Sequence, residues 1–241
     1  PWDAVNLSGG DGFHVQVDPE DFNWVFSESQ GGSLQRTFQR TGNGRFARPT
    51  APRGETYRFN WSSPILLSPH SSKTVYFGGN RLFRSTDRGV NWAPISPDLT
   101  TNDREKQKVG LNSVSPEATS AENHCTIITI SESPMTPGLI YVGTDDGLVQ
   151  VTSDNGATWT NVTKNIPDLP ANTWCSRVTA SGHVANRVYA TFDGHRNNDY
   201  KAHVYVSEDK GATWKKLSSA MPENESCYVI TEGLDNPNLL F

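Results

Sequence analysis

The 241-residue sequence has no apolar run approaching the roughly 18 residues that a membrane-spanning helix requires. It is poor in cysteine, with three, and the odd number prevents complete internal pairing while the spacing fits no zinc motif. Basic residues are outnumbered, 21 Lys and Arg against 26 Asp and Glu, for a net charge of −5. That balance argues against a nucleic-acid partner, because phosphate binding needs a basic face. Leu-, Ala- and Glu-rich helical stretches are scarce, and no long segment shows helical periodicity. The chain opens on Pro1 with neither Met nor a signal-peptide pattern, so the expectation is that any targeting segment is absent or already removed.

What the sequence has instead is punctuation and bulk. Twenty Gly and fifteen Pro bound short apolar runs, and seven Trp, seven Tyr and ten Phe supply core material. Such a profile belongs to many short strands joined by turns. One octapeptide occurs three times: STDRGVNW (85–92), TSDNGATW (152–159) and SEDKGATW (207–214). Each closes a longer unit that reads strand, turn, strand, turn, strand, octapeptide, strand, over 64–95, 127–162 and 177–217. Residues 15–46 match the first three strands, with no Asp in the final turn, and a further unit begins at 228–241. The unit boundaries fall near 11–50, 61–98, 125–164, 174–219 and an incomplete 226–241, with 100–124 as a long polar loop between units. Serial four-stranded units of this size predict an all-β fold, a β-propeller of antiparallel blades. Four blades and the start of a fifth make a partial ring.

Three uses of the octapeptide compete: a metal loop, a catalytic aspartate, or a turn. Calcium takes six to eight oxygens, and one carboxylate per copy falls far short. A single active site needs no third copy. A turn explains every part. Asp87, Asp154 and Asp209 can accept backbone N–H groups a few residues on. Gly89, Gly156 and Gly211 supply the positive φ. Trp92, Trp159 and Trp214 can then fold back between neighbouring sheets, each burying about 200 Å².

These residues resemble the Asp-box, or bacterial neuraminidase repeat, shared by sialidases, xyloglucanase-type glycosidases, sortilin-type receptor domains and photosystem-assembly factors. The strings GGDGFHVQVDP, ESQGGSLQR, GGNRLFRSTDRG, VGTDDGLVQVTSDNGATW and FDGHRNND are similar to secreted bacterial proteins described as sortilin-like or glycosyl-hydrolase-like. The resemblance covers about Gly9 to Phe241. It implies a propeller outside the cytoplasm, extracellular or periplasmic, and it does not fix an activity, because such propellers host unrelated functions.

Antiparallel order decides which loops share a face. The octapeptides lie at one end of the sheets; the loops from second to third strand and those between units lie together at the other, the top. The top gathers Asp11, Glu28, Asp145, Asp146 and Asp193 as carboxylates. Beside them come Asn60, Trp61, Arg81, His124, Trp174, His195 and Arg196 as candidate contacts for a protein or glycan ligand. Ordinary wet turns would also be polar, and Trp61 and Trp174 have the alternative use of plugging gaps between blades. A glycoside hydrolase would need two of the carboxylates about 5 to 9.5 Å apart. A sialidase would need three arginines around the substrate carboxylate, and FARP (46–49) echoes that family's motif only in the wrong part of the unit.

The leading expectation is thus a non-catalytic binding module, followed by a glycoside hydrolase using residues such as Asp11 and Asp145, and then a purely structural segment. Cofactors and metals are not expected. Cys125, Cys175 and Cys227 fall at the starts of successive units, where they serve as small buried side chains or, with His124, as a thiolate–imidazole site. Sequons stand at Asn6, Asn60, Asn161 and Asn224. A partial ring implies that further blades come from another chain, a second copy or sequence outside these residues.

Overall fold

A computed structural model describes residues 7–108, 123–222 and 224–241. The alternating apolar runs form four sheets, each an antiparallel meander of four strands in chain order. The first comprises β1 (Val15–Val17), β2 (Trp24–Ser29), β3 (Ser33–Phe38) and β4 (Asn43–Phe46). The second comprises β5 (Ile65–Ser68), β6 (Ser71–Gly78), β7 (Leu82–Ser85) and β8 (Ala93–Pro94). β9 (Ile127–Glu132), β10 (Ile140–Thr144), β11 (Val149–Thr152) and β12 (Thr160–Asn161) make the third. β13 (Trp174–Ala180), β14 (Val188–Asp193), β15 (His203–Ser207) and β16 (Lys215–Lys216) make the fourth. First strands neighbour one another, β1 with β5, β5 with β9 and β9 with β13, so they lie nearest the common axis. This is a partial β-propeller.

Two details depart from the sequence reading. The first unit has a fourth strand although its turn lacks Asp: a 3₁₀ turn at Gln39–Thr41 is closed by Gly42 at φ 67°, whose N–H donates to the Gln39 carbonyl. The 100–124 loop contains a one-turn helix, α1 (Arg104–Gln107), because the Asp103 carboxylate accepts the N–H groups of Glu105 and Lys106 as an N-cap. Residues 109–122 of that loop, and the sequon at Asn6, lie outside the described residues.

The core sits between sheets rather than within one. Phe26 and Leu34 of the first sheet meet Ile65, Val75, Phe77 and Phe83 of the second. Tyr76 and Leu82 meet Ile127, Ile130, Ile140 and Val142 of the third. Leu139, Tyr141, Val149 and Val151 meet Val178, Val188, Ala190 and Phe192 of the fourth. Side chains also stitch the inner strands, since Thr129 Oγ1 accepts from the N–H of Val178 at 3.2 Å and Ser131 Oγ from that of Ala180 at 2.9 Å. Side-chain volume and polar partners alike are shared across the gaps.

The octapeptide is the device that spans those gaps. Asp154 Oδ1 accepts the Thr158 N–H at 2.9 Å and the Thr152 hydroxyl at 2.7 Å, while Oδ2 accepts the Thr158 hydroxyl at 2.6 Å. Asp209 repeats this with Thr213 and Ser207, and Asp87 with Asn91 and Ser85. The donors pull Asp154 down to about 2, led by the Thr158 hydroxyl. At Asp87 burial pushes upward, but the donors of Asn91, Ser85 and Val90 outweigh it and again give about 2. The same Ser or Thr hydroxyl accepts the glycine N–H, at 2.7 Å for Gly211. Two successive residues are left-handed in each copy: Arg88 and Gly89, Asn155 and Gly156, Lys210 and Gly211. In the later two copies the preceding sheet also leaves no room for a side chain at the second; a Cβ at Gly156 would stand 2.4 Å from the Ile95 carbonyl, and one at Gly211 2.9 Å from Val162.

The indoles complete the contact. Trp159 Nε1 donates to the Ile95 carbonyl of the preceding sheet at 2.9 Å. Trp214 is only 8% exposed, within the cluster joining the third and fourth sheets. Trp92 packs with the cluster of the first and second. Beyond the fourth sheet a hairpin continues the pattern: Glu232 bridges Leu240, and Ile230 packs on Tyr189, Ala202, Val204 and Val206. The Glu232 carboxylate accepts from the Ser181 and Tyr189 hydroxyls, as a fifth unit would.

The thiols do not converge. Cys175 lies in the core between the third and fourth sheets, where a Cβ on Gly143 would touch its sulfur, and burial raises its pKa strongly. Cys125 is buried beside Thr101, and Cys227 is half-buried against the cluster that joins the fourth sheet to Ile230. Among the described residues no group of three His, Cys, Asp or Glu side chains forms a metal cluster.

Replacing Trp214 by Ala should cost about 3–5 kcal/mol, the range for a buried aromatic. Urea unfolding followed by circular dichroism measures it. A loss near that of an exposed residue would contradict the wedge.

Candidate functional site

Top-face loops from three of the sheets enclose a cleft of about 880 Å³. Its walls come only from inter-unit segments and second-to-third-strand loops, as strand alternation requires. The inter-unit segments contribute Asn60, Trp61, Lys106, His124, Asn172 and Trp174; the loops contribute Asp145, Asp193, Arg196 and Asn197. Seven of the residues named from sequence therefore meet there: Asn60, Trp61, His124, Asp145, Trp174, Asp193 and Arg196.

Asp145 forms the floor. Its Oδ1 accepts the Thr126 N–H at 2.9 Å; its Oδ2 accepts the Thr126 hydroxyl at 2.6 Å and the Asn60 amide at 3.2 Å. His124 Nδ1 lies 3.8 Å from the same oxygen. Burial raises this carboxyl to about 7, with the Asp146 charge adding to the rise, while the Thr126 donors oppose it. Burial also lowers His124, which favours the neutral imidazole. The bonds explain the position of Trp61: its neighbour Asn60 is tied to the third sheet through Thr126 and Asp145. Asn60 is thereby consumed, and with 7% exposure it is no open sequon.

The opposite wall is a stacked pair. Trp174 begins β13 directly across the ladder from Asp193 at the end of β14. After Asp193 a 3₁₀ turn at His195–Asn197 ends at Asn198, held left-handed at φ 56°. That turn returns Arg196 over the Trp174 ring, 3.9 Å from its centroid, with Nη1 3.3 Å from Asp193 Oδ2. The His195 ring also bonds the buried Asp193 carboxylate through Nδ1. Sequence alone names Trp174 and Arg196 but not their contact, since 22 positions and a whole hairpin separate them.

The other candidates lie elsewhere. Asp11 is an exposed loop residue ahead of β1, outside the cleft. Glu28 is fully buried, not a top-face acid: Oε1 accepts from the N–H of Gly32 at 3.2 Å and of Ser63 at 3.0 Å, linking the first two units. Burial raises it to about 8 against those donors. Asp146 turns away to accept the Thr101 N–H and hydroxyl, each at 2.7 Å, and so fixes the segment leading into α1. Arg81 donates to the Ser96 carbonyl and faces Glu55 at 4.0 Å. The sequence reading missed Lys106 on α1, Asn123 and the turn at 170–172, because no motif marks them; the Asp103 cap before α1 was the available signal for the first.

No family model matches the chain. A curated relative, a probable oligoxyloglucan-reducing end-specific xyloglucanase of Neosartorya fischeri, is 25% identical over 174 residues, which is 64% of this chain and 21% of that enzyme. Solved structures with similar folds include a Dos1 propeller (TM-score 0.57, 13% identity, 95% of this chain and 53% of that one). YCF48 bound to D1 peptide matches with a TM-score of 0.52 at 13% identity, over 94% of this chain and 60% of that one. An ancestral GH74 enzyme matches at 0.51 and 14% identity, over 97% and 34%. The chain thus spans about a fifth of the xyloglucanase and a third to three fifths of these structures. At such identities the likenesses establish the propeller fold. No helix among the described residues is long and apolar enough to cross a membrane.

Glu28 gives a pH prediction. Its folded pKa is raised, so its contribution to stability is complete at acid pH and is lost as pH climbs from the ordinary glutamate range to about 8. Glu28→Gln should match the wild type near pH 4.5 and exceed it in urea midpoint at pH 8. A constant gap across this range would contradict the assignment.

Proposed function

We propose that the top-face cleft binds a glycan or peptide ligand without breaking it, and that the protein is an interaction module built on a propeller of the Asp-box type. The observation carrying this reading is that the floor carboxylate is already spent. Asp145 is 2% exposed and its two oxygens accept three hydrogen bonds from Thr126 and Asn60. Asp193 is likewise occupied by His195 and Arg196. What remains available to a ligand is indole surface on Trp61 and Trp174, the amides of Asn172 and Asn197, and the cations of Lys106 and Arg196. Flat apolar faces beside hydroxyl-binding amides suit a sugar ring best. On this reading the protein works outside the cytoplasm, where polysaccharides are met.

Further blades belong to the same reading. Val15 and Val17 are 48% and 49% exposed on β1, the inner strand of the first sheet, and Phe241 is 72% exposed on the terminal hairpin. Blades from another chain, a second copy or additional sequence of the same protein would cover both.

A glycoside hydrolase is the second reading, favoured by one observation. Asp145, raised to about 7, has the character of a general acid beside a second carboxyl group lining the same cleft. Calorimetric titration with xyloglucan oligosaccharides, cello-oligosaccharides and a peptide panel, followed by assay for new reducing ends, separates the two. Binding without turnover, weakened about tenfold by Trp174→Ala, is expected. Turnover abolished by Asp145→Asn would replace the module with the enzyme, and absence of binding to every probe would remove both.

A further inference from the structure

Along the outer strands of the first sheet stands a cluster of arginines with no counter-charge among the described residues. Arg36 of β3 and Arg45 of β4 face each other directly in the ladder, a placement in which like charges destabilise a sheet. Arg36 lies over the Trp24 ring at 5.3 Å from the centroid and donates to the Arg88 carbonyl at 3.3 Å. Arg48, just after β4, lies over Phe46 and Phe59 and donates through Nη1 to the Gly31 carbonyl at 3.1 Å, which leaves its other nitrogens open. Eight of the thirteen arginines have no carboxylate within 4.0 Å among the described residues, and Arg36, Arg45 and Arg48 are the three of these that come together. The three line one cleft of about 370 Å³, and Arg36 and Arg45 also line an adjoining one of about 330 Å³.

We propose that this surface is a second binding site, for an anionic saccharide whose carboxylate or sulfate groups are gripped by Arg36, Arg45 and Arg48. A guanidinium presents a planar fork that pairs with such an oxyanion through two parallel bonds. An anion between Arg36 and Arg45 also removes the cost of facing like charges across the ladder. The two clefts are small, adjacent and walled by the rings of Trp24 and Phe38 on one side and Trp92 on the other. Thr41 and Asn43 supply a hydroxyl and an amide at the rim, matching sugar hydroxyls. A nucleic acid would need an extended basic face, and the chain as a whole carries −5. The site lies along the outer strand of the first sheet, where the octapeptide turn of the second meets it, shares no residue with the top-face cleft and is independent of how that cleft functions.

Chromatography and titration of the 241-residue chain on heparin, which is sulfated, and on polygalacturonate, which carries only carboxylates, test the proposal. The wild type should bind at least one of them; heparin alone assigns sulfate and polygalacturonate alone assigns carboxylate. Arg45→Gln, at an exposed position, should raise the Kd about tenfold. The slope of log Kd against log salt should fall by about one for each arginine removed, as for other counterion-releasing contacts. Arg36→Gln combined with Arg45→Gln should weaken binding further, with the thermal midpoint reporting whether the half-buried position still folds. No binding of the wild type to either polymer, variants that bind like the wild type, or equal binding to polyglutamate or oligo-dT would each overturn it.

Discussion

The contact between each octapeptide turn and the sheet before it governs the architecture. A propeller blade exposes two apolar faces and gains stability only by pairing each with a neighbour. Here the outermost turn of one unit presses a glycine and an indole onto the outer strand of the previous unit, at Ile95 for Gly156 and Trp159 and at Val162 for Gly211. The hydrogen bonds of the aspartate stay within its own turn. Its role is local: it gathers the N–H and hydroxyl groups of its own turn so that the backbone can hold two left-handed residues in succession. That conformation aims the tryptophan, and the tryptophan sets the spacing of the sheets. The position of the top-face loops follows from that spacing.

The fold was legible because the repeated signal is local. Asp, Gly and Trp recur at fixed spacing, and alternation of short apolar runs supplies the strands between them. The serine or threonine two positions before each aspartate was equally visible in STD, TSD and SED, yet its role as acceptor for the glycine N–H emerges only from the structure. The first unit shows the limit of the motif, since Gly42 and a 3₁₀ turn close its outer hairpin without any aspartate.

The cleft was legible in part, for a physical reason. Strand order fixes which end a loop occupies but not whether its side chain turns inward or outward. Asp145 and Asp146 are adjacent, and one faces the cleft floor while the other anchors the segment before α1. Glu28 sits within a strand on the face packed against the second sheet, so its carboxyl became a buried link between units. The two clefts differ in kind: amides and indoles around spent carboxylates on the top face, and guanidinium groups without carboxylate partners along the outer strands of the first sheet.

A double-mutant cycle on Gly211 and Val162 tests the inter-sheet wedge most directly, because the two residues belong to different units and meet only through it. Gly211→Ala places a methyl against the Val162 side chain, and Val162→Ala makes room for it. With the wedge in place, the double variant is less destabilised in urea than the two single changes together, by more than about 0.5 kcal/mol. Strict additivity of the two losses would mean that the turn does not rest on the neighbouring sheet.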